Sequence, residues 1–182
     1  MCVIMQTGQI HPAAIRSKNL IVESLLNLME EAPYSKITIK NITDRAVLTR
    51  RTFYAHFETK EDVINYHLSQ LNSQLLTIIL EIQPPKQRLI ALAYFEFWMN
   101  HIKLLTLIRR QQLLPLLFDN FEIQIKEIRS IFGCQLTGKN EQYGDYSSAV
   151  FTGILWNMLD KWIANGAKET PLELVQILIK IT

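Results

Sequence analysis

Thr49-Arg50-Arg51-Thr52-Phe53-Tyr54-Ala55-His56-Phe57-Glu58-Thr59-Lys60-Glu61-Asp62-Val63 reads as a short cationic helix, a tight break, and a second helix beginning at a cap. An α-helix turns about 100° per residue, so Phe53 and Phe57 share one face. Arg51 and Ala55 project from roughly the opposite face, with Arg50 and Tyr54 on one flank and Thr52 and His56 on the other. One side of such a helix can rest on a core. The other offers guanidinium, phenol, hydroxyl and imidazole groups to an anionic partner, the design of a helix that reads nucleic acid.

The residues upstream supply the other half of a motif. Thr38-Ile39-Lys40-Asn41-Ile42-Thr43-Asp44-Arg45-Ala46 is apolar at positions 39, 42 and 46, a helical spacing. The Thr38 hydroxyl is suited to accept from a free N–H of the first turn, and Thr49 can do the same for the next helix. Val47 and Leu48 fall in the turn between them. The pattern is helix-turn-helix.

The stretch Ile37 to Val63 resembles the DNA-binding signature of TetR-family transcription regulators. The resemblance is carried by Thr38 opening the second helix, Ala46 before the turn, and Thr52-Phe53-Tyr54 with His56-Phe57 in the third helix. Lys60-Glu61 follows, opening the fourth. This close match covers about a seventh of the chain, and the length and helical layout of the remainder also fit. It implies an all-α fold, with an N-terminal three-helix DNA-binding module over residues 1–63 and a C-terminal helical-bundle body over 64–182. It also implies that Thr38, Thr49, Arg50, Arg51, Thr52, Tyr54, His56 and Lys60 face double-stranded DNA, with Tyr54 and His56 on phosphates. Lys60 would sit at a helix N-terminus, unfavourable for a cation, so a phosphate role is expected there rather than a structural one. Two positions depart from the family pattern. Val47 stands where glycine is usual, in a turn position that favours positive φ. Arg51 stands where a small residue is common, which makes it a candidate for base contact.

Composition and charge agree with this division. The chain has 182 residues, 48% of them apolar and 20% charged, enough to bury a core in one domain or two small ones. Residues 36–60 hold six cations (Lys36, Lys40, Arg45, Arg50, Arg51, Lys60) against two anions (Asp44, Glu58), a balance of +4. Residues 61–182 hold eleven Lys and Arg against twelve Asp and Glu, a balance of −1. The cationic excess therefore coincides with the helix-turn-helix. Two cysteines, Cys2 and Cys134, are too few for a disulfide framework. Met1-Cys2-Val3-Ile4-Met5 lacks the basic region and long apolar core of a signal peptide, and no apolar run approaches the ~20 residues of a membrane span. A reduced cytoplasmic compartment is the expectation. No nucleophile–base pair, phosphate-binding glycine loop or metal-ligand spacing occurs, so neither enzymatic activity nor a cofactor or metal is expected.

Punctuation divides the chain into helices. Residues 13–31 are apolar at Ile21, Leu25, Leu28 and Met29 and end before Pro33. A helix over 59–82 stops at Pro84-Pro85. Segments 86–101 and 103–117 read as helices, with Pro115 disturbing the end of the second, and Asp119-Asn120-Phe121-Glu122 reads as a cap opening a helix to about 135. A loop is expected over 137–144. Residues 145–165 carry apolar pairs every fourth position and stop at Asn165-Gly166. Thr170-Pro171-Leu172-Glu173 then supplies a cap, a first-turn proline and a capping acid.

The last two helices are apolar on more than one face, which leaves two packings open: a single large core, or one face against a second subunit. The resemblance favours the second, with dimerisation in residues 145–182 through Phe151, Ile154, Leu155, Met158, Trp162, Val175 and Leu178. A two-fold dimer would set two reading helices about 34 Å apart on a palindromic operator. The expected function is a sequence-specific repressor whose DNA affinity is modulated by a small organic effector in the body, with Tyr94, Trp98 and His101 as pocket candidates. The alternative is a regulator of the same fold controlled by, or acting through, a protein partner.

Overall fold

The computed structural model describes residues 12–84, 86–132 and 144–181, and every regular element among them is helical. The chain divides into two compact units, a head ending at Tyr66 and a body beginning at His67. The expected loop at 137–144 lies outside the described residues except for Gly144, which opens a helix.

The head contains α1 (Pro12–Glu31), a 3-10 turn (Tyr34–Lys36), α2 (Ile39–Ala46), α3 (Arg50–Tyr54) and the start of α4 (Lys60–Leu80). Ile21, Leu25 and Met29 recur every fourth residue on α1 and are fully buried. Ile42 and Ala46 of α2, Phe53 of α3 and Phe57 complete the same interior. α2 lies on α1. There the Arg45 guanidinium grips the Glu31 carboxylate with both arms, at 2.6 and 2.7 Å. Exposed pairs of this kind add little to stability, but the fork fixes the angle between the helices. It also engages the Arg45 charge within the head.

The body comprises the rest of α4 with α5 (Gln87–Asn100), α6 (Ile102–Arg110), α7 (Leu114–Phe132), α8 (Gly144–Ala164) and α9 (Pro171–Ile181). Pro115 does not disturb the end of α6, which stops at Arg110; it lies in the first turn of α7. Proline is tolerated in a first turn because the N–H it lacks would have no helical partner. Asp119-Asn120-Phe121-Glu122 is therefore inside α7 and opens nothing. Asn120 instead returns its amide to the Leu116 carbonyl at 2.9 Å, while its own carbonyl accepts from the buried Asn72 side chain at 3.0 Å.

α9 packs along α5, and α8 packs against α6 and α7. The Trp162 ring meets Phe95 edge-on at 6.2 Å, and its indole N–H reaches the Glu169 carbonyl at 3.0 Å. An Arg109–Asp160 ion pair joins α6 to α8. Both ends of the α8–α9 connection are locally determined. Ala167 N–H bonds the Trp162 carbonyl and Gly166 N–H that of Ile163, with Gly166 at φ 81°: a Schellman stop on the residue best suited to it. Thr170 and Glu173 then exchange side-chain bonds with each other's backbone N–H, at 3.3 and 2.7 Å, in a capping box that starts α9.

Candidate nucleic-acid interface

Thr38 and Asn41 form a reciprocal cap on α2. Asn41 N–H donates to the Thr38 hydroxyl at 3.2 Å, and Thr38 N–H to the Asn41 side chain at 2.9 Å. Thr38 remains exposed, so capping does not remove it from the surface.

The turn that follows carries the head's strained backbone. Val47 sits at φ 54°, ψ 43°, the left-handed region, and is 89% exposed. Its N–H bonds the Asp44 carbonyl at 3.3 Å and Leu48 N–H the Thr43 carbonyl at 2.9 Å. This is the same Schellman stop that ends α8, built on valine where α8 uses glycine. A left-handed L-residue costs about 1–2 kcal/mol, and a β-branched one is among the worst suited. The turn keeps its shape despite the side chain because Ile42 and Ala46 on one side and Phe53 on the other are locked in the core.

Thr49 caps α3: Thr52 N–H donates to its hydroxyl at 3.1 Å, and the two threonine hydroxyls lie 2.9 Å apart. Phe53 is fully buried and Phe57 nearly so, their rings 6.0 Å apart. Arg50, Arg51 and Tyr54 are exposed, Tyr54 by 58%, while Thr52 and His56 are half-buried. Thr49, Arg50, Arg51 and Tyr54 are thus brought onto one open surface, with no acid within α3 to neutralise it. The helix is shorter than the sequence suggests. It ends at Tyr54, and Ala55 N–H and Phe57 N–H close its last turn on Arg51 and Phe53.

Lys60 corrects the expectation that no structural role falls to it. Its ammonium donates to the carbonyls of Tyr34 and Ile37 at 2.7 and 3.1 Å and lies 4.1 Å from the Tyr34 ring centroid. The unfavourable helix-start position is offset by two carbonyl dipoles and an aromatic face. The cap itself comes from Thr59 and Asp62. Asp62 accepts from the N–H of Thr59 at 2.8 Å, which holds its carboxyl below the usual range.

In the body, Tyr94 and Trp98 are buried and His101 is half-buried. The three stand at i, i+4 and i+7 on α5, ending at its C-terminal cap, with Tyr94 and Trp98 ring centroids 6.4 Å apart and His101 stacked 4.6 Å from Phe97. His67 of α4, not identified from the sequence, interacts with His101 electrostatically; burial first, and that charge second, hold its pKa below the ordinary histidine value. Only tertiary packing relates the two, so no local pattern could have revealed them.

Of the seven residues expected at a subunit seam, Leu155, Trp162, Val175 and Leu178 are interior to a single chain, because α8 packs against α6 and α7 and α9 packs on α5. Phe151, Ile154 and Met158 are only half-buried. Val150 (62% exposed) and the half-buried Ile154 and Met158 recur every fourth residue along a flank of α8 beside its core face. Nearby, a groove of about 300 Å³ is lined by Met158, Lys161, Trp162, Leu174 and Ile177.

The family model for bacterial regulatory proteins of the tetR family matches residues 21–66, from the middle of α1 to the start of α4. The chain is also 23% identical over 179 residues to an uncharacterized HTH-type transcriptional regulator, YxbF, of Bacillus subtilis (strain 168). That alignment covers 93% of this chain and 46% of the relative, so the chain spans about half the length of the curated protein it matches. No helix among the described residues is long and apolar enough to cross a membrane. The capped α2, the left-handed turn and the exposed cationic α3 all lie within the matched span, so the chain's head is similar to that of the TetR family of helix-turn-helix transcriptional regulators.

Proposed function

We propose that this protein is a dimeric, sequence-specific DNA-binding repressor of the cytoplasm, relieved or engaged by a small organic effector bound in its body. The observation that carries the DNA-binding part is α3, whose buried Phe53 anchors an exposed face of Arg50, Arg51 and Tyr54. Phosphate contacts from Thr38, Thr49, Tyr54 and His56 set position and give sequence-independent affinity, while Arg51 reads a base edge.

Dimerisation is assigned to α8 and α9 through the surfaces the chain leaves uncovered. The exposed Val150 of α8 and Ile177 of α9, with the half-buried Ile154 and Met158, supply apolar surface for that contact. A stable interface buries about 1,200–2,000 Å² in total, within reach of two helices per subunit. The effector site is assigned to the Tyr94–Trp98–His101 face of α5. α4 runs without a break from Lys60 in the head to Leu80 in the body, so its tilt is the mechanical link by which occupancy would alter DNA affinity.

The test is selection of genomic DNA fragments by the purified protein, followed by footprinting and a reporter assay. Enrichment of a palindrome whose occupancy lowers transcription supports the reading. Retention of random fragments alone would remove it and favour a regulator acting through a protein partner.

A further inference from the structure

Among the described residues of the body, two buried polar side-chain atoms lack a partner, and they share one helix face. Trp162 gives its indole N–H to the Glu169 carbonyl, and Asn72 gives its amide to the Asn120 carbonyl. The Tyr94 hydroxyl and the Trp98 indole N–H have no partner among the described residues, though Tyr94 is 2% and Trp98 1% exposed. Such exceptions are rare in native interiors, and each calls for an explanation. These two are one helical turn apart, with ring centroids at 6.4 Å, a distance that one small molecule spans.

An indole N–H donates only, and a phenol donates well, so the missing partner is an acceptor. Around the pair stand Phe95, Phe97 and Phe121, which leave a matching ligand mainly apolar neighbours. The titratable groups nearby are His101, beside Trp98 at 6.3 Å, and His67; burial favours the neutral form of both.

We propose that Tyr94 and Trp98 are a donor pair for an uncharged, largely aromatic or aliphatic effector that carries an accepting oxygen, as in a ketone or an ether. This rests on the effector reading above and gives that effector a chemical class.

The test uses matched probes on the full chain: acetophenone against α-methylstyrene, and anisole against ethylbenzene. Each pair keeps its shape while the second member loses the oxygen. Calorimetric titration should show the oxygen-bearing member binding about tenfold more tightly, the size of one recovered hydrogen bond. Tyr94→Phe should shrink that preference, yet leave the melting temperature of the free protein unchanged or raised, because the hydroxyl it removes is unpaired. Three results would overturn the proposal: no binding by any probe, equal binding within both pairs, or a Tyr94→Phe protein that melts several degrees lower when free. Operator titration separates the two readings. A preference lost in Tyr94→Phe without any change in operator affinity keeps the donor pair and removes effector control. Changed operator affinity without an oxygen preference does the reverse.

Discussion

The Lys60 ammonium bonds the Tyr34 carbonyl at 2.7 Å while lying 4.1 Å from the same residue's ring centroid, so one side chain pins the start of α4 to the turn before α2. The contact is partly buried and charge-assisted, worth about 1–2 kcal/mol after discounting for solvent. Lys60→Ala should lower the melting temperature by about 2–6 °C, whereas Arg50→Ala, on the exposed face, should leave it unchanged. A Lys60→Ala protein that melts normally but loses affinity for all DNA would return Lys60 to the phosphates.

Val47 offers a stability gain. Glycine meets no penalty at φ 54°, and the valine side chain is too exposed to contribute packing. Val47→Gly should stabilise the protein by about 0.5–1 kcal/mol, the relieved strain outweighing the added freedom of the unfolded chain. Denaturant unfolding checks this, and a lower midpoint would mean that valine is not strained there.

What could be read from the residues was what they decide locally. Thr38, Thr49, Thr59, Gly166 and Thr170 act on neighbours within five positions, and the helix ends they mark are found where expected. Long-range partners were not legible. Lys60 meets carbonyls 26 and 23 residues upstream, and Asn120 is held by Asn72 across 48 residues. For the same reason, periodicity showed that α9 is apolar around Val175 and Leu178 but not that α5 covers them.

The His67–His101 pair gives the body a pH dependence. Both have folded-state pKa values below the ordinary 6.5, so the unfolded chain binds protons first as pH falls. Stability is then full above about pH 6.5 and declines as pH drops through that value toward the folded pKa. The depressed Asp62 and Glu173 carboxyls lose their contribution only at more acidic pH, below their ordinary 3.8 and 4.5. Melting curves from pH 7.5 to 5.5 should show a decline that His67→Gln flattens. An equal slope in the variant would place the titration elsewhere.

The proposed dimer gives two acid substitutions different fates. Ile154→Glu lies on the half-exposed stripe of α8, so the chain should fold and sediment as a monomer. Leu178→Glu places a charge at a site 9% exposed within one chain and should cost several kcal/mol of folding stability. An Ile154→Glu protein that still sediments as a dimer would move the interface off this stripe.

Whether the exposed face of α3 reads DNA sequence is decided most sharply at Arg51. Operator and random duplexes should be titrated across a salt series with wild type and Arg51→Ala. The expected result is a loss of roughly 1–3 kcal/mol on the operator and little on random DNA. The salt slope should be nearly unchanged, because no phosphate contact is removed. Equal losses on both duplexes with a shallower slope would make Arg51 a backbone contact, and no loss on either would contradict the claim that this face meets DNA.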